Sequence, residues 1–365
     1  MTDPHGLSGA EVRDAVDSFA IDGVLLSIEP LERGHIHDTF VSTWKQKGGT
    51  RRFLHQHMND KVFQDLPALM HNIELVSRHL RAGLDAETDD GFTVLDLVPT
   101  REDRAYLVAG SGPWRTYRFI ERTTSHDHCP DENRAYEAAR AFGWFQARLA
   151  DLDARRLRET LPKFFSTAHR LQQFDDALAE DPLRRAALCA EQIAFVESRR
   201  SMAETLEALR RSGELPLRTV HGDTKLNNVL FDAETGKARC IVDLDTCMGG
   251  WSLYDFGDLV RFTAATSGED EQDLQKVGTD LGLYRAIVEG YLAGTRRFLT
   301  PREIDLMPFA ARLVTFTVGL RFLTDYLAGD VYFKVQREEH NLDRARVQFR
   351  MVEEMERRAA DMAVV

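Results

Sequence analysis

At 365 residues the chain is long enough for two to three folding units or for one two-lobed unit. Its 43% hydrophobic and 29% charged residues describe a globular chain with a sizeable core and exclude global disorder. A formal net charge of −12 sets an acidic surface against phosphate backbones and anionic lipid, which argues against nucleic-acid and membrane partners.

No apolar run approaches the roughly 20 residues that a spanning helix needs. The nearest candidate, Pro308 to Leu323, is broken by Arg312 and Arg321. The first residues, Met1 to His5, lack a basic segment followed by an apolar one, so no signal peptide is expected. Cys129, Cys189, Cys240 and Cys247 form no Cys-x-x-Cys pair, which suits a reduced, cytoplasmic chain; it is expected to act as a monomer.

Up to about residue 120 short segments alternate as strands do: Val24–Ile28, Asp38–Trp44, Arg51–His57, Phe92–Val98, Ala105–Val108 and Trp114–Ile120. One helix interrupts them, about Leu66 to Leu80, with Leu69, Ile73, Val76 and Leu80 at helical spacing. After about residue 130 the period lengthens, and Tyr136, Ala139, Phe142, Phe145 and Leu149 fall on one helix face. Helical patterns then run to the C-terminus, except for a short β insertion between Leu217 and Asp245. Late in the chain Phe309, Leu313, Phe316, Leu320 and Leu323 recur as a core stripe. The expected class is therefore α+β and two-lobed. A β-rich N-terminal lobe spans 1–120, a hinge lies at about 117–123, and a mostly helical lobe spans 121–365 with a cleft between.

The chemistry is concentrated in the β insertion. Thr219-Val-His221-Gly-Asp223-Thr-Lys225-Leu-Asn227-Asn228 leads into two apolar strands, Asn228–Phe231 and Ala238–Val242, around a turn-rich Asp232–Gly236. A hairpin returns its second strand to the start of the first, so Asn228 and Asp243 face each other at its open end, with Asp223 on the entering loop. Asn and Asp oxygens suit Mg²⁺, and a separate carboxylate can orient an acceptor hydroxyl and take its proton. His221 is expected to brace the loop and not to act as a base. This His-x-Asp-x4-Asn spacing, closed by an Asp fifteen residues on, resembles the protein-kinase-like arrangement in its aminoglycoside and choline kinase branch. Asp255-Phe256-Gly257 spells the metal-binding string of protein kinases but lies too far from Asp223; Asp255 is expected to cap a helix or brace the loop.

Further strings resemble the bacterial N-acetylhexosamine 1-kinases. They are Gly34-His35-Ile36, Trp114-Arg115-Thr-Tyr117-Arg-Phe119-Ile120-Glu121, Pro216 through Val229, Asp243-Leu-Asp-Thr, Leu320-Arg321 through Phe333, and Glu339-His340-Asn341-Leu342. The resemblance covers nearly the whole chain in one order. It implies transfer of the γ-phosphoryl group of ATP, with Mg²⁺, to the anomeric hydroxyl of N-acetylglucosamine or N-acetylgalactosamine. Carried over, it makes Asp223 the catalytic base, in contact with substrate, and gives the metal to Asn228 and Asp243. Arg321 and Tyr332 reach the sugar, and Asp245 supports acceptor or metal. In the N-terminal lobe there is no Gly-x-Gly-x-x-Gly; His35 and Thr39 flank the turn expected to cover the phosphates, and Gln56 stands where a phosphate-gripping lysine is usual. Glu74 would normally pair with that lysine. Phe119, Ile120 and Glu121 are expected to offer backbone groups and an apolar wall to adenine.

Other readings are another acceptor (an aminoglycoside, choline or a different sugar), an inactive kinase-like binding module, and a zinc site. Arg321 would oppose a cationic acceptor, and an inactive module should have lost the base or a metal ligand. Zinc would use the pairs His35/His37, His55/His57 and His126/His128.

Overall fold

The computed structural model describes residues 7–31, 36–84 and 91–364. Helix α1 (Gly9–Asp17) precedes strands β1 (Val24–Pro30), β2 (Asp38–Gln46) and β3 (Gly49–His57); α2 (Leu66–Ala82), β4 (Leu107–Ala109) and β5 (Gly112–Arg118) follow. The five strands form one antiparallel sheet in the order β1-β2-β3-β5-β4. Strand alternation gives this sheet two faces. Phe40, Trp44, Phe53 and Trp114 pack under α1, with Val12, Val16 and Phe19. The opposite face looks into the cleft. Registers Thr39↔Gln56 and Gln56↔Arg115 place those three side chains in one row across β2, β3 and β5 on that cleft face.

Two expected strands differ. Phe92–Val98 is extended but unpaired as a strand: the Thr93 N–H goes to Arg239 O, the Val98 N–H to Thr116 O, and Asp96 O receives the Arg118 N–H. It crosses from the hairpin to the sheet, bonding the hairpin at Thr93 and the sheet on either side of one isolated bridge, Leu97↔Tyr117. The strand expected from Ala105 begins at Leu107.

Beyond β5 the chain crosses at Phe119–Glu121 into β6 (Thr123–Thr124), α3 (Glu132–Arg148), α4 (Thr167–Glu180), α5 (Ala190–Glu197) and α6 (Ser201–Ser212). The β insertion comprises β7 (Arg218–Val220), β8 (Val229–Asp232), β9 (Ala238–Ile241) and β10 (Met248–Gly250); α7 (Ser252–Thr263), α8 (Leu281–Thr295), α9 (Pro301–Asp305), α10 (Met307–Ala328) and α11 (His340–Arg357) complete the lobe. The predicted faces are buried: Leu69, Ile73, Val76 and Leu80 on α2, and Ala139, Phe142 and Phe145 on α3. On α10, Leu313, Phe316, Leu320 and Leu323 are buried and Phe309 is partly so. Helices α3 and α8 cross at contact distance, since a Cβ on Gly143 would stand 2.6 Å from Tyr291 O. Among the described residues, no helix is long and apolar enough to cross a membrane.

Candidate active site

Pairing of β7 with β10 (Val220↔Met248) delivers His221–Asp223 beside the turn Leu244–Thr246. Gly222 sits at φ +81°, where a Cβ would lie 2.8 Å from Thr246 O, so both conformation and space select glycine between the His and the Asp. His221 is fully buried against the edges of Phe142 and Phe145. Its Nδ1 accepts from the Asp223 N–H at 3.3 Å, which puts the ring proton on Nε2, donated to Val242 O at 3.0 Å. Both nitrogens are spent on backbone, so His221 is a strut. Asp255 is the second brace: its carboxylate accepts the N–H groups of His221 and Gly222, each at 2.8 Å, and Gln146 Nε2 at 2.7 Å. The Asp-Phe-Gly string thus lies in α7 as a support of the loop and holds no metal position.

The three expected oxygen-bearing side chains meet at one place. The Asn228 amide NH₂ donates to Asp223 O (2.8 Å) and Oδ2 (3.0 Å), and Asn228 O accepts the Val242 N–H beside Asp243. Lys225 Nζ lies 2.7 Å from Asp223 Oδ2. These contacts engage Oδ2 and leave Asp223 Oδ1 without a partner among the described residues. Burial pushes the Asp223 carboxyl up, but the Lys225 ammonium and the Asn228 amide outweigh it and hold it below the ordinary value. Lys225 was not singled out from sequence; its position two residues after Asp223, across the turn from Asp243, was the available signal.

Asn228 Oδ1 and the Asp243 carboxylate remain uncommitted among the described residues, and Asp243 is held at φ +63°. Burial first, then the charges of Asp245 and Asp223, raise the Asp243 carboxyl to about 6. An amide oxygen and an anion repelled by its neighbours form a donor set that fits Mg²⁺, which binds through few protein oxygens plus phosphate and water. When bound, the cation would supply neutralisation of phosphate charge. The folded chain keeps the Asp243 proton up to about pH 6, whereas the unfolded chain releases it near the ordinary carboxyl value. This group's stabilising contribution is therefore full below that ordinary value and is lost as pH rises through about 6. Added MgCl₂ is expected to raise the unfolding temperature at about pH 7.5, to do so progressively less toward pH ~4.5, and to have no effect on Asp243→Asn. A rise that ignores pH, or persists in the variant, would contradict this donor set.

On the sheet side Gln56, expected in place of a phosphate-gripping lysine, is bound to an arginine. Its Oε1 accepts from Arg115 Nε at 2.8 Å, and Arg115, only 1% exposed, is the cation at this spot. Its two Nη groups grip Asp245 at 2.6 and 2.9 Å, and His37 Nε2 lies 2.5 Å from the same carboxylate. Asp245, expected at metal or acceptor, is thus taken up by the other lobe: both oxygens are occupied by groups of β5 and of the segment entering β2. Burial raises its pKa, but Arg115 and His37 overcome this and keep it ionised below the ordinary range. Asn72 of α2 fixes the same turn by donating to Cys247 O at 2.9 Å. Thr39 is buried in the row with Gln56; His35 and Gly34 lie outside the described residues. Glu74 lines a surface hollow together with Arg78, Arg81 and Arg104 and has no part in the row. At the crossing the Phe119 N–H is bound to Arg52 O, and the Arg52 guanidinium lies 4.0 Å from the Phe119 ring centroid. Glu121 pairs with Arg52 at 2.5 Å on the surface, and Ile120 packs on the main core. The side chains of Phe119 and Glu121 are therefore engaged with Arg52.

In the helical lobe Arg321 is not paired with Asp325 one turn on. Asp325 accepts the N–H groups of Val331, Tyr332 and Phe333 at 2.8–3.0 Å and Asn341 Nδ2 at 2.8 Å, shaping the loop that carries Tyr332. Tyr332 is 70% exposed, its ring centroid 5.8 Å from the Arg321 guanidinium, which forms no hydrogen bond or ion pair among the described residues. The histidine pairs do not make a zinc centre there: no cluster of three or more metal-capable side chains occurs among the described residues, and His55 bonds Ser42 and Thr116.

A five-stranded lobe over a helical lobe, with Asp223, Asn228, Asp243 and Lys225 gathered on one strand–turn–strand frame, has the architecture of a kinase-like phosphotransferase. The model of the phosphotransferase enzyme family (APH) matches residues 27–296, and the chain belongs to that family. Solved structures share the fold at low identity. A microcompartment-associated aminopropanol kinase is 16% identical with TM-score 0.57, covering 98% of this chain and 99% of its own. Choline kinase from Cryptosporidium parvum is 13% identical with TM-score 0.57 (92% and 90% covered). An ADP-bound aminoglycoside phosphotransferase is 14% identical with TM-score 0.54 (95% and 99% covered).

Proposed function

We propose that the chain transfers the γ-phosphoryl group of ATP, with Mg²⁺, to the C1 hydroxyl of an N-acetylhexosamine, giving the sugar 1-phosphate. The hydroxyl oxygen forms a bond to phosphorus as the bond from phosphorus to the β–γ bridging oxygen breaks. ADP leaves, and the hydroxyl proton passes to Asp223 Oδ1. Asn228 and Asp243 hold the cation, and Lys225 stands beside the base with a charge for the transferring group. Thr39, Gln56 and His35 serve the phosphates, and the backbone at Phe119, Ile120 and Glu121 serves the purine.

The observation that carries the acceptor class is Arg321, a guanidinium left without an anionic partner beside an exposed phenol. Such a pair offers donors to hydroxyl and carbonyl oxygens and repels ammonium groups. That favours a neutral sugar over the choline and aminoglycosides named for structural neighbours. The acidic overall charge and the lack of a disulfide framework suit a cytoplasmic monomer acting on a free small molecule.

A coupled ADP-release assay over free hexoses, 2-acetamido hexoses, choline and aminoglycosides tests the reading. The expected result is turnover of 2-acetamido sugars, with phosphorus NMR placing the phosphate on C1. Turnover confined to amines would overturn it.

A further inference from the structure

Helix α4 contributes a second arginine to the same wall. Arg170, in its first turn, donates to Gln173 Oε1 at 2.8 Å and makes a long contact to Phe164 O at 3.5 Å, while its Nε is buried with no acceptor. Phe164 also lies under Arg321, 5.8 Å from guanidinium to ring centroid, so the two cations flank one residue. Neither has a carboxylate partner among the described residues. Other arginines of this lobe do: Arg185 pairs with Asp330 at 2.6 Å, and Arg261 with Asp258 at 2.9 Å. Burial first, and then the charge of Arg321, depress the Arg170 pKa.

The pair adjoins the catalytic loop. Phe165, next in sequence to Phe164, lies 3.0 Å from where a Gly222 Cβ would stand, and its ring centroid is 4.4 Å from that of Tyr254, the residue before the Asp255 brace. Two neighbouring guanidiniums without a carboxylate, one of them with a buried N–H that has no acceptor, lie beside Phe164 and Phe333 and present donors that an oxygen of a ligand can meet.

We infer that Arg170 and Arg321 form a two-guanidinium subsite for a carbonyl oxygen of the acceptor, making Arg170 a specificity-determining residue that excludes an ammonium group from the same position. The inference rests on the acceptor proposed above, whose acetamido oxygen would occupy the subsite. Removing the acetyl group replaces an oxygen acceptor with a cation and leaves the hexose otherwise unchanged, which isolates the subsite from the rest of the site.

The test is steady-state kinetics of the full chain with a 2-acetamido-2-deoxyhexose, its N-deacetylated amine and the unsubstituted hexose, for wild type, Arg170→Gln and Arg170→Lys. The wild-type enzyme is expected to prefer acetamido sugar over amine by about 100-fold or more in kcat/KM. In Arg170→Gln the KM for acetamido sugar should rise about tenfold, with the KM for ATP unchanged and the preference over amine reduced by a similar factor. Arg170→Lys should still reject the amine. A merely structural role would move the ATP and sugar constants together. An acetamido-to-amine ratio near one in the wild type overturns the inference without needing any variant to fold. A ratio unchanged in Arg170→Gln also overturns it and leaves the proposed function standing. No turnover of any acetamido sugar by the wild type overturns both.

Discussion

Asp223→Asn is expected to lower kcat by about 10²–10⁴-fold while ADP affinity stays within about twofold. The amide keeps the size of the carboxyl and can still meet the Asn228 amide, but it cannot take the proton of the attacking hydroxyl. It also removes the anion that Lys225 faces at 2.7 Å, freeing that ammonium to hold the phosphates. Nucleotide affinity is therefore expected to survive. Isothermal titration with ADP and Mg²⁺ beside a turnover assay separates the two effects. Unchanged turnover would remove Asp223 from its role; lost nucleotide binding would show that the substitution had disturbed the loop as a whole.

The second large effect concerns stability. Arg115→Met is expected to destabilise the chain by about 3–5 kcal/mol, because a buried carboxylate loses its bidentate partner. Asp245, 2% exposed, would be left with His37 alone. The double variant Arg115→Met/Asp245→Leu removes both charges and is expected to recover most of that loss, since an apolar pair needs no partner. Urea unfolding of the three chains measures the coupling. A single variant within about 1 kcal/mol of wild type would mean that water or a rearranged side chain compensates Asp245. The double variant should still be impaired in turnover: the turn Leu244–Thr246 begins at Asp243, and the pair that ties it to β5 would be gone.

Local features were legible where the chain itself sets the geometry. Hairpin chemistry at Asp232–Gly236 brings Asn228 and Asp243 together whatever packs around them, and the fixed offset from Asp223 follows from one short turn. The helix faces of α2, α3 and α10 were readable for the same reason, since burial repeats with the helical period. Phe92–Val98 misled because its apolar pattern records burial alone; whether an extended segment gains a strand partner depends on distant chain. Asp245 misled in a similar way. Two residues past Asp243, it stands near the expected metal position in sequence, but the partner that claims its charge lies 130 residues earlier on β5.

By itself the sequence determined the two-lobed α+β class and the gathering of Asp223, Asn228 and Asp243 at one place, because those depend on periodicity and on contacts in and beside one hairpin. Tertiary structure alone decided which charges are neutralised: Arg115 by Asp245, Asp325 by the backbone N–H groups of its loop, and Arg170 and Arg321 by no described carboxylate. Coulomb and desolvation energies depend on distances through space and on exclusion of water, and neither quantity is a function of spacing along the chain.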